Sequence, residues 1–338
     1  MAESETPWKK LTIEQIATAL GVSKTTVSRA LSGKGRIGEE TRARVFAYVK
    51  DAGCDPSTLT RCSVRCTSHN LSLVIPSHFV QLDLPFFRKC MGGICRMAAQ
   101  RGYDILLCFA DPSDTTQLQR QLEAKKVDGV ILARTLISDP CLALVRTYGI
   151  PYAAMGRIED EPEALQVDND HVGAAWELTR LLVQKGLRRI AYLGGSDNYT
   201  VNIDRLRGYY RALEESGITP EPELICTGIE DNEQRLDALE AALERSPECI
   251  LCSDDAIAVI VLKELQRRGL RVPEDIRLAS LYDSEILLNS NPTITAVQFD
   301  AAALGAAVGR LLLDHMAGRA TANRQMQGYQ VILRESTK

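Results

Sequence analysis

The stretch Leu11–Leu31, LTIEQIATALGVSKTTVSRAL, constrains the fold of this chain more than any other segment. Apolar residues recur at helical spacing from Ile13 to Leu20, and Gly21 supplies a turn directly after them. Ser23 is then placed to cap a second helix with an apolar inner face. Two short amphipathic helices joined by a glycine-containing turn predict a helix-turn-helix.

The outward face of the second helix carries hydrogen-bond donors and cations, which are the groups that contact base edges and phosphates. The residues on this face are Lys24, Thr25, Thr26, Ser28 and Arg29. A basic link, SGKGR, and a third helical pattern at residues 39–50 follow. Three helices of this kind predict a small DNA-binding domain. The alternative that the helix pair serves only for core packing stays open at this point.

The segment LTIEQIATALGVSKTTVSRALSGKGRIGEETRARV resembles the DNA-binding domain of the lactose-repressor (LacI) family of bacterial transcription regulators. The resemblance implies that Lys24, Thr25 and Arg29 read the major groove. It also implies that four residues hold the DNA backbone, namely Thr12, Ser23, Thr26 and Ser28. On this resemblance we expect a sequence-specific transcriptional regulator, a repressor that binds a palindromic operator as a homodimer.

Residues 56–70 are expected to form a linker, because Pro56 ends the third helix and mostly small polar residues follow. Arg61 is a candidate phosphate contact. In the family that the chain resembles, this region is a hinge helix that inserts a leucine into the minor groove. Ser63 stands at that position here, so either Val64 replaces the wedge or the DNA is bent less. The linker cysteines Cys62 and Cys66 leave a thiol switch open.

Charge is distributed unevenly along the chain. Residues 1–66 contain eleven lysine and arginine residues against seven acidic residues, whereas the whole chain of 338 residues has a net charge of -4. A basic end on an acidic body fits DNA binding through that end. No apolar run approaches the ~20 residues of a membrane span, and MAESETPWKK lacks the features of a signal peptide. We therefore expect a cytoplasmic protein without membrane contact.

From Leu71 onward, short apolar runs alternate with longer amphipathic segments. The predicted strands are LSLVIP, YDILLCF, DGVILA, PYAAM, RRIAYLGG, ELICTG, ECILC and IRLASL, with helices near 87–101, 114–126, 139–148, 171–186, 203–216, 232–245 and 255–268. This alternation predicts βαβ units and parallel sheets. Two consecutive sets predict two similar lobes, so the fold class is α/β with an all-α N-terminal helix-turn-helix domain.

The two lobes are similar to the effector-binding core of the same family, which shares the fold of periplasmic sugar-binding proteins. The resemblance implies a DNA-binding domain at 10–55, a hinge at 56–70 and an effector-binding and dimerisation core at 71–338. It divides the core into lobe 1, at about 71–167 and 298–325, and lobe 2, at about 168–297 and 326–338. It also assigns the last helix, Ala301–Ala317, to lobe 1 and the closing strand, Gly328–Arg334, to lobe 2.

Ligands of open α/β sheets lie beyond the carboxyl ends of the strands. A polyhydroxylated ligand needs carboxylates, an arginine and an aromatic face there. The candidates are His78, Asp83, Phe87, Arg157, Asp197, Arg205, Asp254, Tyr282 and Asp283. Asp255 is interpreted instead as a helix cap, and the same interpretation is favoured over a ligand contact for Asp168. His171 and His315 are expected on the surface.

By resemblance, Arg205 in DRLRGY stands at the ligand arginine of the family. Asp254 replaces a usual asparagine, and Tyr282 replaces a usual acid, so the ligand chemistry differs from that of an ordinary hexose. We expect a small-molecule effector, a sugar or a sugar derivative. Whether it acts as an inducer or as a corepressor is open.

Enzyme signatures are weak throughout the sequence. Asp254 and Asp255 are adjacent at a predicted helix start and point in different directions, so they do not form an acid/base pair. Cys249 and Cys252 have zinc or redox spacing, yet ECILC predicts a buried strand. We therefore predict no enzymatic activity, no cofactor and no metal. The alternative from another class is a sugar-binding or sugar-processing protein whose helical N-terminal domain serves only for assembly.

Overall fold

The computed structural model of the chain describes residues 13–32, 37–51, 67–76, 85–159 and 161–338. The chain divides into two units, Met1–Thr67 and Ser68–Lys338. Several residues singled out in the sequence lie outside the described ranges, namely Thr12, Arg61, Cys62, Ser63, Val64, Cys66, His78 and Asp83.

The N-terminal unit contains the predicted helix-turn-helix and the predicted third helix. Its helices are α1 (Ile13–Leu20), α2 (Lys24–Ser32) and α3 (Glu39–Asp51). Gly21 ends α1 with a φ of +68°, a conformation that side chains with a Cβ rarely adopt. The three helices share one apolar core, formed by Ile16, Ala17, Val27, Ala30, Leu31, Val45 and Val49. The described part of this unit is therefore all α, as the sequence predicts.

The first half of the second unit alternates strands and helices. Its elements are β1 (Asn70–Ile75), α4 (Pro85–Gln100), β2 (Asp104–Phe109), α5 (Thr116–Glu123), β3 (Gly129–Leu132), α6 (Pro140–Thr147), β4 (Tyr152–Met155) and β5 (Gln166–Asn169). The strands belong to one sheet in which every pairing is parallel. Most of them read as continuous buried apolar runs, because helices cover both faces of the sheet.

The second half repeats this alternation in a second sheet. Its elements are α7 (His171–Gln184), β6 (Ile190–Gly195), α8 (Thr200–Glu215), β7 (Ile225–Ile229), α9 (Asn232–Glu244), β8 (Cys249–Cys252), α10 (Asp255–Arg267), β9 (Arg277–Ser280), α11 (Glu285–Leu288) and β10 (Thr295–Phe299). Aspartate side chains cap α7, α9 and α10 by accepting backbone N–H groups of their first turns. Both cysteines of β8 are buried, which confirms their predicted place in a strand.

The chain then returns to the first sheet and ends in the second. It forms α12 (Ala301–Met316), β11 (Arg324–Gln327) and β12 (Tyr329–Ile332). The first sheet has the order β11-β5-β4-β3-β1-β2, and the second has the order β12-β10-β9-β8-β6-β7. Only β12 runs antiparallel to its neighbour among the pairings of the described strands. We call the first sheet with α4, α5, α6 and α12 lobe 1, and the second sheet with its helices lobe 2.

Helix α12 packs closely against α4 because each presents a glycine to the other. A Cβ on Gly93 would collide with the backbone oxygen of Ala302, and one on Gly305 would collide with that of Cys90. The backbones can approach only where no side chain intervenes. This contact fixes the returning C-terminal helix on lobe 1.

Three strands were not predicted from the sequence: β5, β10 and β11. β5 has the sequence QVDN and β11 has the sequence RQMQ, and neither contains an apolar run. Both lie next to each other at one side of the first sheet, where backbone pairing rather than apolar pattern defines the strand.

Candidate functional site

The candidate DNA-contacting surface of the N-terminal unit is the outward side of α2. Lys24, Thr25 and Arg29 are exposed on it, whereas Thr26 and Ser28 are half-buried. Exposed cations and hydroxyls on the second helix of a helix-turn-helix are free to reach groove edges. The described part of the unit thus exposes the three residues that the family resemblance assigns to the major groove.

Ser23 has a structural role at the start of α2. Its Oγ accepts the backbone N–H of Thr26 at 3.0 Å and lies 2.8 Å from the Thr26 Oγ1. These bonds are those of a helix cap. Lys24 forms an ion pair with Glu14 of α1 at the surface, and such an exposed pair contributes little to stability.

The second unit contains a cavity of about 760 Å³ between the two lobes, at the carboxyl ends of the strands. Lobe 1 contributes the residues after β3 and β4 and the start of α4, and lobe 2 contributes the residues after β6, β7, β8 and β9. The position is the one that parallel α/β sheets give to ligands. Its volume lies within the range of small-molecule sites.

Arg205 is the central cation of the cavity. It is 7 % exposed, lines the cavity and makes no hydrogen bond with any described residue. Burial lowers the pKa of its guanidinium, and the nearby Asp254 opposes this shift. A buried cation without hydrogen-bond partners is costly unless a ligand supplies acceptor atoms.

A second arginine, Arg134, approaches the cavity from the loop after β3. Burial lowers its pKa to about 10, and Arg205 adds to the shift by repulsion. Its guanidinium lies 3.8 Å from the ring centre of Tyr199, a cation–π contact between the lobes. Arg134 is not among the candidates chosen from the sequence. It directly follows the predicted strand DGVILA, just as several of those candidates directly follow a predicted strand.

Aromatic rings form one wall of the cavity. Phe86 contacts Phe87 edge-to-face at 5.2 Å and Tyr282 at 5.5 Å between ring centres. Phe299 contacts the imidazole of His171 at 5.0 Å. Such faces suit the C–H side of a sugar ring as well as other apolar surfaces.

The cavity also collects buried polar atoms that have no partner among the described residues. They are Asn169 Oδ1, His171 Nδ1, Asn202 Oδ1, Arg205 Nε and Arg235 Nε. Buried polar atoms of this kind are few in folded proteins. Their concentration around one cavity is typical of a binding site rather than of a packed core.

The nine effector candidates have different positions in the structure. Four of them line the cavity: Phe87, Arg205, Asp254 and Tyr282. Asp254 is also the cap of α10, because its Oδ1 accepts the N–H of Ile257 at 2.9 Å. Asp197 is exposed outside the lining and accepts the Thr227 hydroxyl at 3.0 Å. His78 and Asp83 lie outside the described residues.

Arg157 and Asp283 lie outside the cavity lining, and each forms an ion pair with another residue of the chain. Arg157 donates two hydrogen bonds to Asp204, each of 3.1 Å. Asp283 accepts two from Arg334, at 2.7 and 2.6 Å. Protein partners compensate both charges, and neither residue belongs to the cavity lining.

The expectation that His171 lies on the surface is wrong. It is 8 % exposed, lines the cavity, and its Nε2 lies 3.5 Å from Asp168 Oδ1. His315 is exposed. Asp168 also lines the cavity, although the sequence favours a capping role for it over a ligand contact. Its Oδ1 accepts the N–H of the neighbouring Asn169. Asn169 ends β5 and His171 follows it, and the apolar pattern of the sequence does not reveal this strand.

Two further features concern the described residues as a whole. None of their helices is long and apolar enough to cross a membrane. Within the same ranges, His, Cys, Asp and Glu side chains do not gather in groups of three that suit a metal ion.

Comparisons with known proteins cover both units. Residues 12–57 match the domain family described as bacterial regulatory proteins, lacI family, and residues 179–337 match the periplasmic binding protein-like domain. The chain is 28% identical over 319 residues to the HTH-type transcriptional regulator CelR of Thermobifida fusca, with 93% of this chain and 94% of CelR covered. It is 26% identical over 332 residues to the HTH-type transcriptional repressor CytR of Escherichia coli (strain K12), with 97% and 96% covered.

Solved structures agree with these sequence matches. A structure titled as a complex of the transcriptional regulator CelR with cellobiose has a TM-score of 0.76 and 27% identity, and the alignment covers 97% of this chain and 100% of that one. The transcription regulator CcpA of Lactococcus lactis has a TM-score of 0.73 and 28% identity, with 81% and 100% covered. These similar proteins are thus regulators of transcription, and the chain matches each of them over nearly its full length.

Proposed function

Because the chain belongs to the LacI family of bacterial regulatory proteins and is a DNA-binding transcriptional regulator, we propose that it is a repressor controlled by a small sugar. The sugar binds in the cavity between the lobes and changes the affinity of the N-terminal unit for a palindromic operator. The protein acts on DNA as a homodimer, in the cytoplasm where that DNA lies. It is not an enzyme.

The single observation that carries the proposal is the state of Arg205. A buried guanidinium that has no hydrogen bond to described residues, at the carboxyl ends of parallel strands, requires acceptor atoms from a ligand. The arginine, the carboxylates and the aromatic wall of the cavity together suit a molecule with several hydroxyl groups and an apolar ring face.

The proposed effector class is a sugar of one or two rings. A relative with 27% identity is titled as a complex with cellobiose, which supports a sugar for this chain as well. Asp254 and Tyr282 stand where the family usually has an asparagine and an acid, so the hydroxyl pattern of the effector differs from that of an ordinary hexose.

The homodimer follows from the operator, because two helix-turn-helix units read a palindrome through a two-fold axis. The edge strand β2 carries Leu107 and Phe109 with 40% and 38% of their surfaces exposed. We propose that a second copy of the chain covers this edge together with α4. Each dimer then presents two copies of Lys24, Thr25 and Arg29 to successive half-sites.

The sugar controls DNA binding only if the two lobe arrangements differ in their affinity for it. We propose that the sugar stabilises the closed arrangement, which repacks the lobe 1 dimer face and changes the spacing of the two N-terminal units. Release of repression is the default direction, and corepression is the alternative within this class.

The proposal is tested by thermal unfolding of the full chain against a panel of neutral mono- and disaccharides, cellobiose included. A bound sugar raises the midpoint in proportion to RT ln(1 + [L]/Kd). A rise for at least one sugar that follows this dependence on concentration, and that is absent from Arg205→Met, supports the proposal. No shift for any sugar, or an equal shift in Arg205→Met, refutes the cavity assignment.

A further inference from the structure

The start of α8 makes several contacts with lobe 1. The Thr200 Oγ1 of lobe 2 lies 2.7 Å from the Thr135 Oγ1 of lobe 1, and both residues are buried. The Ile137 N–H donates to the Asn198 carbonyl at 3.1 Å, next to an isolated antiparallel bridge. A strand-like pairing thus joins the loop after β3 to the segment that leads into α8.

An ion-pair cluster extends this junction along the helix. The Arg157 Nε and Nη2 in lobe 1 donate to the two carboxylate oxygens of Asp204 in lobe 2, each at 3.1 Å. Glu159 accepts from the Arg157 Nη1 at 2.9 Å, and Arg207 pairs with Asp204 at 3.0 Å. A bidentate pair fixes both the distance and the orientation of the two lobes at this point.

The first two turns of α8 therefore contribute both to the contact with lobe 1 and to the cavity. Thr200, Asp204 and Arg207 are spaced by four and three residues and contact lobe 1, and Thr200 also lines the cavity. Asn202 and Arg205 are spaced by three residues on another face and line the cavity. A shift of this helix segment moves the ligand-facing and the lobe-facing side chains together.

The Arg157–Asp204 pair is well protected from solvent, since both side chains are mostly buried. Burial lowers the pKa of Arg157, but the hydrogen bonds that its guanidinium donates to Asp204 and Glu159 outweigh this effect and raise the pKa. Such a pair is sensitive to the loss of one partner, because the other charge is then left buried and uncompensated. Opening of the lobes likewise leaves each of the two charges without its partner, unless water replaces that partner.

We propose that Arg157 and Asp204 form a clasp that holds the lobes closed and positions Arg205 for the effector. They are positioning residues, since neither lines the cavity. The clasp contributes to closure without any ligand, so the sugar adds to an equilibrium that this pair already biases. This coupling to effector binding rests on the proposed function, whereas the closing role of the clasp does not.

The closing role is tested by amide hydrogen exchange of the ligand-free full chain. The Ile137 N–H is protected by Asn198 of the other lobe, so its exchange reports lobe opening. In Asp204→Asn we expect exchange in the peptide containing Ile137 to be at least about tenfold faster. Arg157→Gln should have the same effect, and the double variant should add little, because both changes remove one pair.

The matched control is Asp275→Asn, which removes a bidentate partner of Arg271 at the surface of lobe 2. It should leave exchange at Ile137 unchanged. Strand β8, in the centre of lobe 2, should exchange at the wild-type rate in every variant. Equal exchange in Asp204→Asn and Asp275→Asn would overturn the clasp. Faster exchange throughout, β8 included, would make Asp204 merely structural and would also overturn it.

Coupling to the effector is tested with the sugar that gives the largest thermal shift in the panel. Its affinity, measured by calorimetry, should fall about tenfold or more in Asp204→Asn and remain unchanged in Asp275→Asn. Faster exchange at Ile137 with unchanged affinity would contradict the positioning of Arg205. If no sugar binds the wild type, the proposed function fails, and the exchange result alone decides the clasp.

Discussion

Arg334 binds Asp283 through both terminal nitrogens of its guanidinium, with Nη1–Oδ1 and Nη2–Oδ2 distances of 2.7 and 2.6 Å. Arg334 follows the last strand, β12, and Asp283 lies in the loop after β9. Arg334 also donates to the carbonyl of Ile294 at 2.8 Å. The pair therefore fastens the C-terminal segment to the loop that carries Tyr282 into the cavity.

Asp283→Asn should lower the free energy of unfolding by about 3 kcal/mol, because the Arg334 charge is then buried without its carboxylate. The matched control is again Asp275→Asn, whose partner Arg271 is exposed, and it should cost under about 1 kcal/mol. Urea unfolding of the full chain, monitored by circular dichroism, gives both values. Equal losses in the two variants would show that the buried pair contributes no more than a surface pair.

Arg205→Met should raise the unfolding midpoint of the ligand-free protein while it abolishes the response to a sugar. Removal of a buried cation without hydrogen bonds relieves a desolvation cost, and methionine fills most of the volume. Thermal scans with and without the sugar measure both effects. A lower midpoint together with a retained sugar response would mean that Arg205 stabilises the fold and does not contact the effector.

Arg29→Ala should weaken binding to the specific operator by at least about tenfold in each half-site, since one base contact contributes about 1–3 kcal/mol. The side chain is exposed on α2, so the unfolding midpoint should not change. Lys50→Ala, an exposed cation on α3, is the control and should affect specific binding little. Fluorescence anisotropy with operator and scrambled duplexes measures the difference. An equal loss on both duplexes would assign Arg29 to the phosphates.

Salt should separate a DNA-binding regulator from a sugar-binding protein whose helices serve only for assembly. A dimer with ~6–10 phosphate contacts should lose about 10³–10⁵-fold in affinity between about 50 and 200 mM salt. Anisotropy titrations at several salt concentrations give the slope. A flat response, together with turnover of a sugar, would favour the assembly role.

The sequence predicted most of the fold because its apolar pattern coincides with the buried elements. The runs around Ile75, Leu132 and Leu251 form strands buried on both faces, and the alternation with helices predicted two parallel sheets. β5 was missed because QVDN lacks an apolar run, and its pairing with β4 and β11 depends on backbone atoms that the sequence does not display. The register and the pairing of strands depend on the tertiary structure.

The cavity was predicted less completely than the fold. Position after a strand identifies Asp254 and Tyr282, and the family resemblance identifies Arg205. Neither argument reveals which side chains form ion pairs with other residues of the chain. Arg157 and Asp283 follow strands as the cavity residues do, yet Asp204 and Arg334 compensate their charges. Those partners lie 47 and 51 positions away in the chain. Only the packed structure brings them together.

Control of operator binding by a sugar is tested most directly by the affinity for the operator with and without the sugar that stabilises the protein. A duplex selected from random sequence by the full chain is titrated at fixed salt against a scrambled duplex. The protein should prefer the selected duplex by at least about 10³-fold, and the sugar should change its affinity for that duplex by about 5–150-fold. Equal affinity for the selected and scrambled duplexes, in the presence and absence of the sugar, would contradict the proposed function.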